Sequence, residues 1–275
     1  MAGFSIPTEI MSTSNAGFHW PLDTGLLLVG HGSRDQTGVR EFLATTRLVA
    51  PMAPELTVEP CFLEFAEPAI AGGFRTLVRR GARRIVVVPV LLFSAGHAKR
   101  DIPAAVAAAA AGETSVNVLE SDHLGCHEAI LELSRLRYDE AIAEHAVAGD
   151  DETVLVMVGR GSHDRHATAE MLRFVELRGR AARVPRARAC FVAMAEPRLA
   201  DVLDEAALCG AKQIVVEPHL LFGGVLVDRV RRTVAEYAGR YPRIRWVTTG
   251  HLGPSELVAR AILCRARETL SPSGA

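Results

Sequence analysis

A stretch of roughly a hundred residues occurs twice in this chain, in register at a constant offset of 129 and without a gap across most of its length. The segment LLLVGHGSRD at 26–35 falls on LVMVGRGSHD at 155–164, CFLEFAEP at 61–68 falls on CFVAMAEP at 190–197, and Gly81–Phe93 falls on Gly210–Phe222. Such a chain has to fold as two similar units. Residues that both copies keep are those the fold needs. His31, Glu64 and His97 are not kept: their counterparts are Arg160, Ala193 and Leu226. One half therefore acts as an internal control for the other.

At 275 residues there is enough chain for two domains with cores of their own, and the repeat places the seam near residue 150. The sequence reading gives a tail over 1–23, a metal-binding domain over 24–139, a linker over 140–152 and a ligand-poor domain over 153–270. On this reading the fragment 1–150 should fold by itself. The tail lacks the basic start and long apolar run of a signal peptide or membrane span. Lys plus Arg number 31 against 32 Asp plus Glu, so there is no basic field of the kind nucleic-acid binders show. An anionic ligand must be held by local clusters. The five cysteines form no C-x-x-C pair and are odd in number, which argues for reduced thiols in a cytoplasmic protein. Cys61 and Cys190 occupy equivalent strand positions and read as small buried hydrophobes.

Each half alternates strands and helices. In the first, strands are expected at Gly25–Gly30, Val58–Leu63, Ile85–Phe93 and Val116–Leu119. Helices are expected at Thr37–Ala50, Pro68–Arg80, Asp101–Ala111 and Gly125–Tyr138. The second half repeats the order from Thr153 to a helix over Ser255–Thr269. Short, wholly apolar strands separated by helices imply right-handed crossovers and a parallel sheet covered on both faces. The expected class is α/β, two similar domains, each a four-stranded parallel sheet with helices on both faces.

Ligands of an open parallel sheet sit outside the carboxyl ends of its strands. His31 follows the first strand, Glu64 ends the second and His97 follows the third, so all three belong to one edge. Two imidazoles and a carboxylate suit a divalent first-row transition metal. Any one loop histidine is more often a surface residue, but all three are missing together from a copy that keeps its glycines and strand cores. Gly30-His31-Gly32-Ser33 could instead cradle phosphate, although it lacks the Lys-Ser/Thr of a P-loop and the G-x-G-x-x-G spacing. Arg34, Lys99, Arg100, Arg160 and Arg229 either line a positive cleft between the halves or are solvated helix starts. His163 and His166 read as exposed polar residues, and His123 and His251, which open similar His-Leu-Gly turns, as rim or structural residues.

These motifs resemble the CbiX/SirB family of sirohydrochlorin chelatases, in its long two-repeat form and over nearly the whole chain. G-H-G-S-R-D lies at Gly30–Asp35, F-L-E-x-A-E-P at Phe62–Pro68 and G-H-x-K-R-D-I-P at Gly96–Pro103, with ligand-poor versions at Gly159–Ser162 and Leu221–Val227. The resemblance implies a lyase that inserts Co²⁺, with Fe²⁺ or Ni²⁺ as alternatives, into sirohydrochlorin without an organic cofactor. It implies that His31 and His97 bind the metal and that Glu64 assists. Ser33, Arg34, Phe93, Lys99, Arg100, Arg160, Leu226 and Arg229 are then expected at the substrate, and a single chain would act as an internal pseudo-dimer. A carrier that binds metal or tetrapyrrole without turnover uses the same groups. Imidazoles suit the chemistry because two pyrrole N–H protons must leave as the ion enters, and imidazole titrates near neutrality.

Overall fold

The computed structural model describes residues 18–93, 98–144, 152–181 and 186–271. The elements are β1 (Thr24–Gly30), α1 (Gln36–Met52), β2 (Thr57–Phe62), α2 (Ile70–Arg79), β3 (Arg84–Pro89), α3 (Ala98–Ala110), β4 (Asn117–Glu120) and α4 (Glu128–Glu144). The second half follows with β5 (Thr153–Gly159), α5 (Arg165–Ala181), β6 (Ala187–Phe191), α6 (Leu199–Leu208), β7 (Gln213–Pro218), α7 (Val225–Arg240), β8 (Arg245–Thr248) and α8 (Glu256–Leu270). Two parallel sheets result, ordered β2-β1-β3-β4 and β6-β5-β7-β8. The α/β tandem expected from the repeat is the fold observed. Among the described residues no helix is long and apolar enough to cross a membrane.

Both faces of the central strands are buried, as their unbroken apolar runs require. Leu27, Val29, Ile85 and Val87 pack under α2 and α3, and Val154, Val156, Val158 and Ile214 under α6 and α7. Leu26, Leu28, Val86 and Val88 of the first sheet and Leu155, Met157 and Val215 of the second join one central core. Cys61 and Cys190 are fully buried, and burial pushes both thiols up to about 12. They act as small hydrophobes, not as nucleophiles.

The closing helices are exchanged between the halves. α8, from the end of the second half, packs on α1 and β3, whereas α4 packs on α5, β7 and β8. The packing units thus differ from the sequence repeats. α4 also runs to Glu144, through five residues assigned above to the linker. It starts only at Glu128, because Gly125 turns the chain at φ 52 and His127 Nδ1 accepts from the N–H of Ala129 at 3.1 Å. β3 stops at Pro89 rather than Phe93, since the carbonyls of Leu91 and Leu92 accept from Leu124 and Gly125 after β4 instead. Phe18 and Trp20, read above as tail, meet ring to ring at 5.1 Å, with Arg267 of α8 over Phe18 and Trp20 against the core.

One buried polar group breaks the symmetry of the core. Ser134 Oγ donates to Glu217 Oε1 at 2.5 Å and accepts from Arg178 Nε at 2.9 Å. The first half has Val88 and Val49 in place of Glu217 and Arg178. Past α3 the repeat offset slips to 128, which sets Ile262 opposite Ser134. His219, where the first half has Val90, is 1 % exposed and lies between the rings of Phe174 and Phe93 at 4.0 and 5.7 Å. Burial pushes this imidazole down to about 3 from 6.5, while burial, opposed by Arg178 and Ser134, lifts the Glu217 carboxyl to about 7.

A histidine held neutral by the fold stabilises it fully above its unfolded pKa, and that contribution is lost as pH falls from 6.5 towards 3. Glu217 acts in the opposite sense: its contribution is present below 4.5 and lost as pH rises through 7. His219→Phe removes only the first slope. The stability difference, variant minus wild type, should therefore grow by about 2 kcal/mol between pH 7 and pH 5 in urea titrations. A difference independent of pH would contradict the buried neutral imidazole.

Candidate functional site

The site is set by how the chain leaves the first two strands. The N–H of Leu63 donates to the carbonyl of Gly30 at 2.9 Å, and that of Glu64 to the carbonyl of His31 at 3.1 Å. The segments beyond β1 and β2 therefore continue side by side, with Gly32 at φ 89 between them. A Cβ on Gly32 would lie 1.7 Å from the carbonyl oxygen of Glu64. The second half repeats this arrangement, with Gly161 at φ 88 and 1.7 Å from the carbonyl oxygen of Ala193. The glycine is thus needed for strand-to-strand approach, even in the copy without ligands. The loop's amides are also engaged locally: Asp35 N–H donates to Ser33 Oγ at 3.0 Å and Thr37 N–H to Asp35 Oδ1 at 2.8 Å. Ser162 and Asp164 do the same in the second half. This geometry argues against the phosphate cradle. Gly161→Ala should cost on the order of 3 kcal/mol or more in denaturant unfolding, as should Gly32→Ala. A stable Gly161→Ala protein would contradict the scaffold role.

At this edge the His31 and Glu64 side chains meet, Nδ1 to Oε1 at 3.3 Å, both partly exposed. A carboxylate this close to Nδ1 favours a proton there and leaves Nε2 for a metal. His97 lies outside the described residues. Among the described residues no three of His, Cys, Asp and Glu converge as a complete metal site.

The residues expected at the substrate are scattered in role. Arg34 is exposed, its guanidinium 5.0 Å from the Phe65 ring centroid. Lys99 and Arg100 are exposed in the first turn of α3, and Arg160 and Arg229 are exposed after β5 and on α7. Ser33 serves the turn just described. Two of the expected residues are apolar and partly buried. Leu226 packs into the core under α7, and Phe93 packs against the central core and beside His219. Leu92, Leu221 and Phe222 also belong to that core. An apolar side chain next to an uncovered core is drawn into it, and spacing alone does not distinguish that from a cleft wall.

The carboxyl edges of the two sheets meet through His123 and His251, the residues expected at the rim. His123, after β4, places Nε2 at 3.0 Å from both carboxylate oxygens of Glu170 on α5. His251, after β8, places Nε2 at 2.9 Å from Glu41 Oε2 on α1, which also accepts from Gly223 N–H at 2.7 Å. Glu41 and Glu170 are counterparts. Arg137 on α4 donates to the carbonyls of His251 and Leu252, and its counterpart Arg265 on α8 donates to that of Leu124. The His-Leu-Gly turns are thus clamped reciprocally by the other half's helices. The repeated turn was visible in the sequence, but its partners 47 and 210 residues away were not. Beside one clamp, Lys99, Pro103, Asp122, His123, His166 and Arg173 are among the residues lining a cavity of 540 Å³ between the halves.

The CbiX family profile matches residues 25–141 and again 154–269. The chain is 32% identical to the sirohydrochlorin cobaltochelatase of Priestia megaterium, over 89% of this chain and 79% of that protein. It is 29% identical to the sirohydrochlorin ferrochelatase of the same organism, over 90% and 91%. The structure of SirB from Bacillus subtilis with Fe³⁺ superposes with a TM-score of 0.81 at 28% identity, covering 91% of this chain and 96% of that one.

Proposed function

Because the chain belongs to the CbiX family, as a sirohydrochlorin metal chelatase of two-repeat form, we propose that it inserts Co²⁺ into sirohydrochlorin at the carboxyl edge of its first half. The observation that carries the site is the His31–Glu64 contact at 3.3 Å, set against Arg160 and Ala193 at the same places in the second half. His31 and His97 hold the incoming ion. Glu64 orients His31 through Nδ1 and, with the imidazoles, takes up the two pyrrole protons as the metal–nitrogen bonds form. The second half supplies the opposing wall, so one chain carries both sides of the cleft. Arg34, Lys99 and Arg100 are exposed in the first half and Arg160 and Arg229 in the second, and they suit the macrocycle's carboxylate arms.

Cobalt is favoured over iron by the 32% identity to the cobaltochelatase, against 29% to the ferrochelatase. The donor set itself accepts either ion. Mixing the protein with metal-free sirohydrochlorin and equal, limiting Co²⁺ and Fe²⁺ under anaerobic conditions tests the choice. The visible spectrum should report cobalt-sirohydrochlorin as the main product. Predominant sirohaem would assign iron.

A further inference from the structure

Two exposed apolar side chains sit at matching places of the repeat, one after Glu64 and one after Ala193, both on strained backbone. Phe65 is 54 % exposed at φ 61, and its counterpart Met194 is 43 % exposed at φ 55. A bulky residue in the left-handed region costs on the order of 1 kcal/mol or more, and glycine would remove that cost. Neither copy uses glycine. Exposure means the core does not reward these side chains either.

The backbone around them is held firmly. Glu64 N–H is bonded to His31 and Ala193 N–H to Arg160, while Ala195 N–H donates to the Ala193 carbonyl at 2.7 Å. The preceding residue separates the two possible duties. Position 64 carries a carboxylate and position 193 an alanine, so metal chemistry is confined to one half. The apolar residue that follows is present in both. It therefore serves something that both halves touch and that needs no metal ligand.

Building on the function proposed above, we infer that Phe65 and Met194 are substrate-positioning residues, two apolar contacts that take the flat macrocycle between the facing sheet edges. The charges beside them fit that ligand. Arg34 lies over the Phe65 ring, and exposed Arg160 adjoins Ala193 through the backbone. The Phe65 contact thus has a guanidinium over it, matching an aromatic ring that carries carboxylate arms. The strained backbone presents the side chain to the cleft instead of letting it fold back onto the sheet.

Phe65→Gly and Met194→Gly test this, because each removes the side chain while relieving the backbone. Thermal stability should be unchanged or higher. Binding of metal-free sirohydrochlorin, followed by absorbance without metal, should weaken roughly tenfold in each variant. KM should rise in parallel, with kcat kept within about threefold. Leu208→Ala, at an apolar residue 79 % exposed on α6, should change neither. Unaltered tetrapyrrole affinity in both glycine variants would overturn the inference while leaving the chelatase reading intact. A wild-type chain that fails to bind sirohydrochlorin at all would overturn both. A loss of kcat alone would also contradict a positioning role.

Discussion

His31→Ala is expected to lower metal insertion by a factor on the order of a hundred or more, while leaving the unfolding midpoint within a few degrees of wild type. The repeat supplies the reasoning. Arg160 and Ala193 occupy the places of His31 and Glu64 in a half whose β5 and β6 pair in the same register as β1 and β2. Neither side chain is needed for those strands to form. Losing a direct ligand removes an interaction made with the reacting ion, so kcat and kcat/KM should fall together. His97→Ala should behave alike. Glu64→Ala should be milder, because a carboxylate acting through Nδ1 of His31 tunes a ligand without being one, and losses of ten- to a hundredfold are usual for such partners. If Glu64→Ala proves more damaging than His31→Ala, the two roles have been exchanged.

The fragment 1–150 is expected not to fold as a monomer. The sequence repeat suggests a self-sufficient first domain, but the exchange of α4 and α8 removes that independence. Without residues beyond 150, α1 and β3 lose the covering face of α8, including the buried side chains of Val258, Ile262 and Leu263. At roughly 1.5–3 kcal/mol each, these three side chains account for a large part of a typical domain's net stability of about 5–15 kcal/mol. α4 would meanwhile present its second-half surface to water. Two fragments could satisfy each other by donating α4 in place of α8, because the two helices are counterparts. The expected result is therefore a concentration-dependent dimer and no cooperative monomeric transition, by sedimentation and near-ultraviolet dichroism. A monomeric fragment that unfolds cooperatively near the full chain's midpoint would contradict the exchange.

Much of the architecture was legible from the sequence because the repeat aligns features of different kinds. Strand cores, turn glycines and the Glu-Pro motifs fall at one offset as far as α3, and alternating strands and helices of that length imply a parallel sheet. The meeting of His31 and Glu64 was foreshadowed in the same way, since both break the repeat. The exchanged helices were not legible. Amphipathicity tells that α4 and α8 bury a face, but the sheet that each one covers depends on the whole chain's path. The packing of Leu226 and Phe93 against the cores was not legible either, because an apolar residue near the site has the same spacing whether it meets substrate or core. The conformations of Phe65 and Met194 could not be read, since φ above zero is normally signalled by glycine or asparagine. The buried Glu217 was hidden in an apolar strand, its partners Ser134 and Arg178 lying on two other elements.

We propose that one half of this chain performs catalytic metal insertion with the other half as its wall. The most direct test is a turnover count. Metal-free sirohydrochlorin and Co²⁺, each in about fiftyfold excess over the protein, would be followed in the visible range, with a protein-free mixture and His31→Ala run alongside. Many metallated products per chain are expected, formed well above the protein-free rate, with nearly complete loss in His31→Ala. A spectral change that stops at one equivalent per chain, or a His31→Ala protein that keeps pace with wild type, would contradict it.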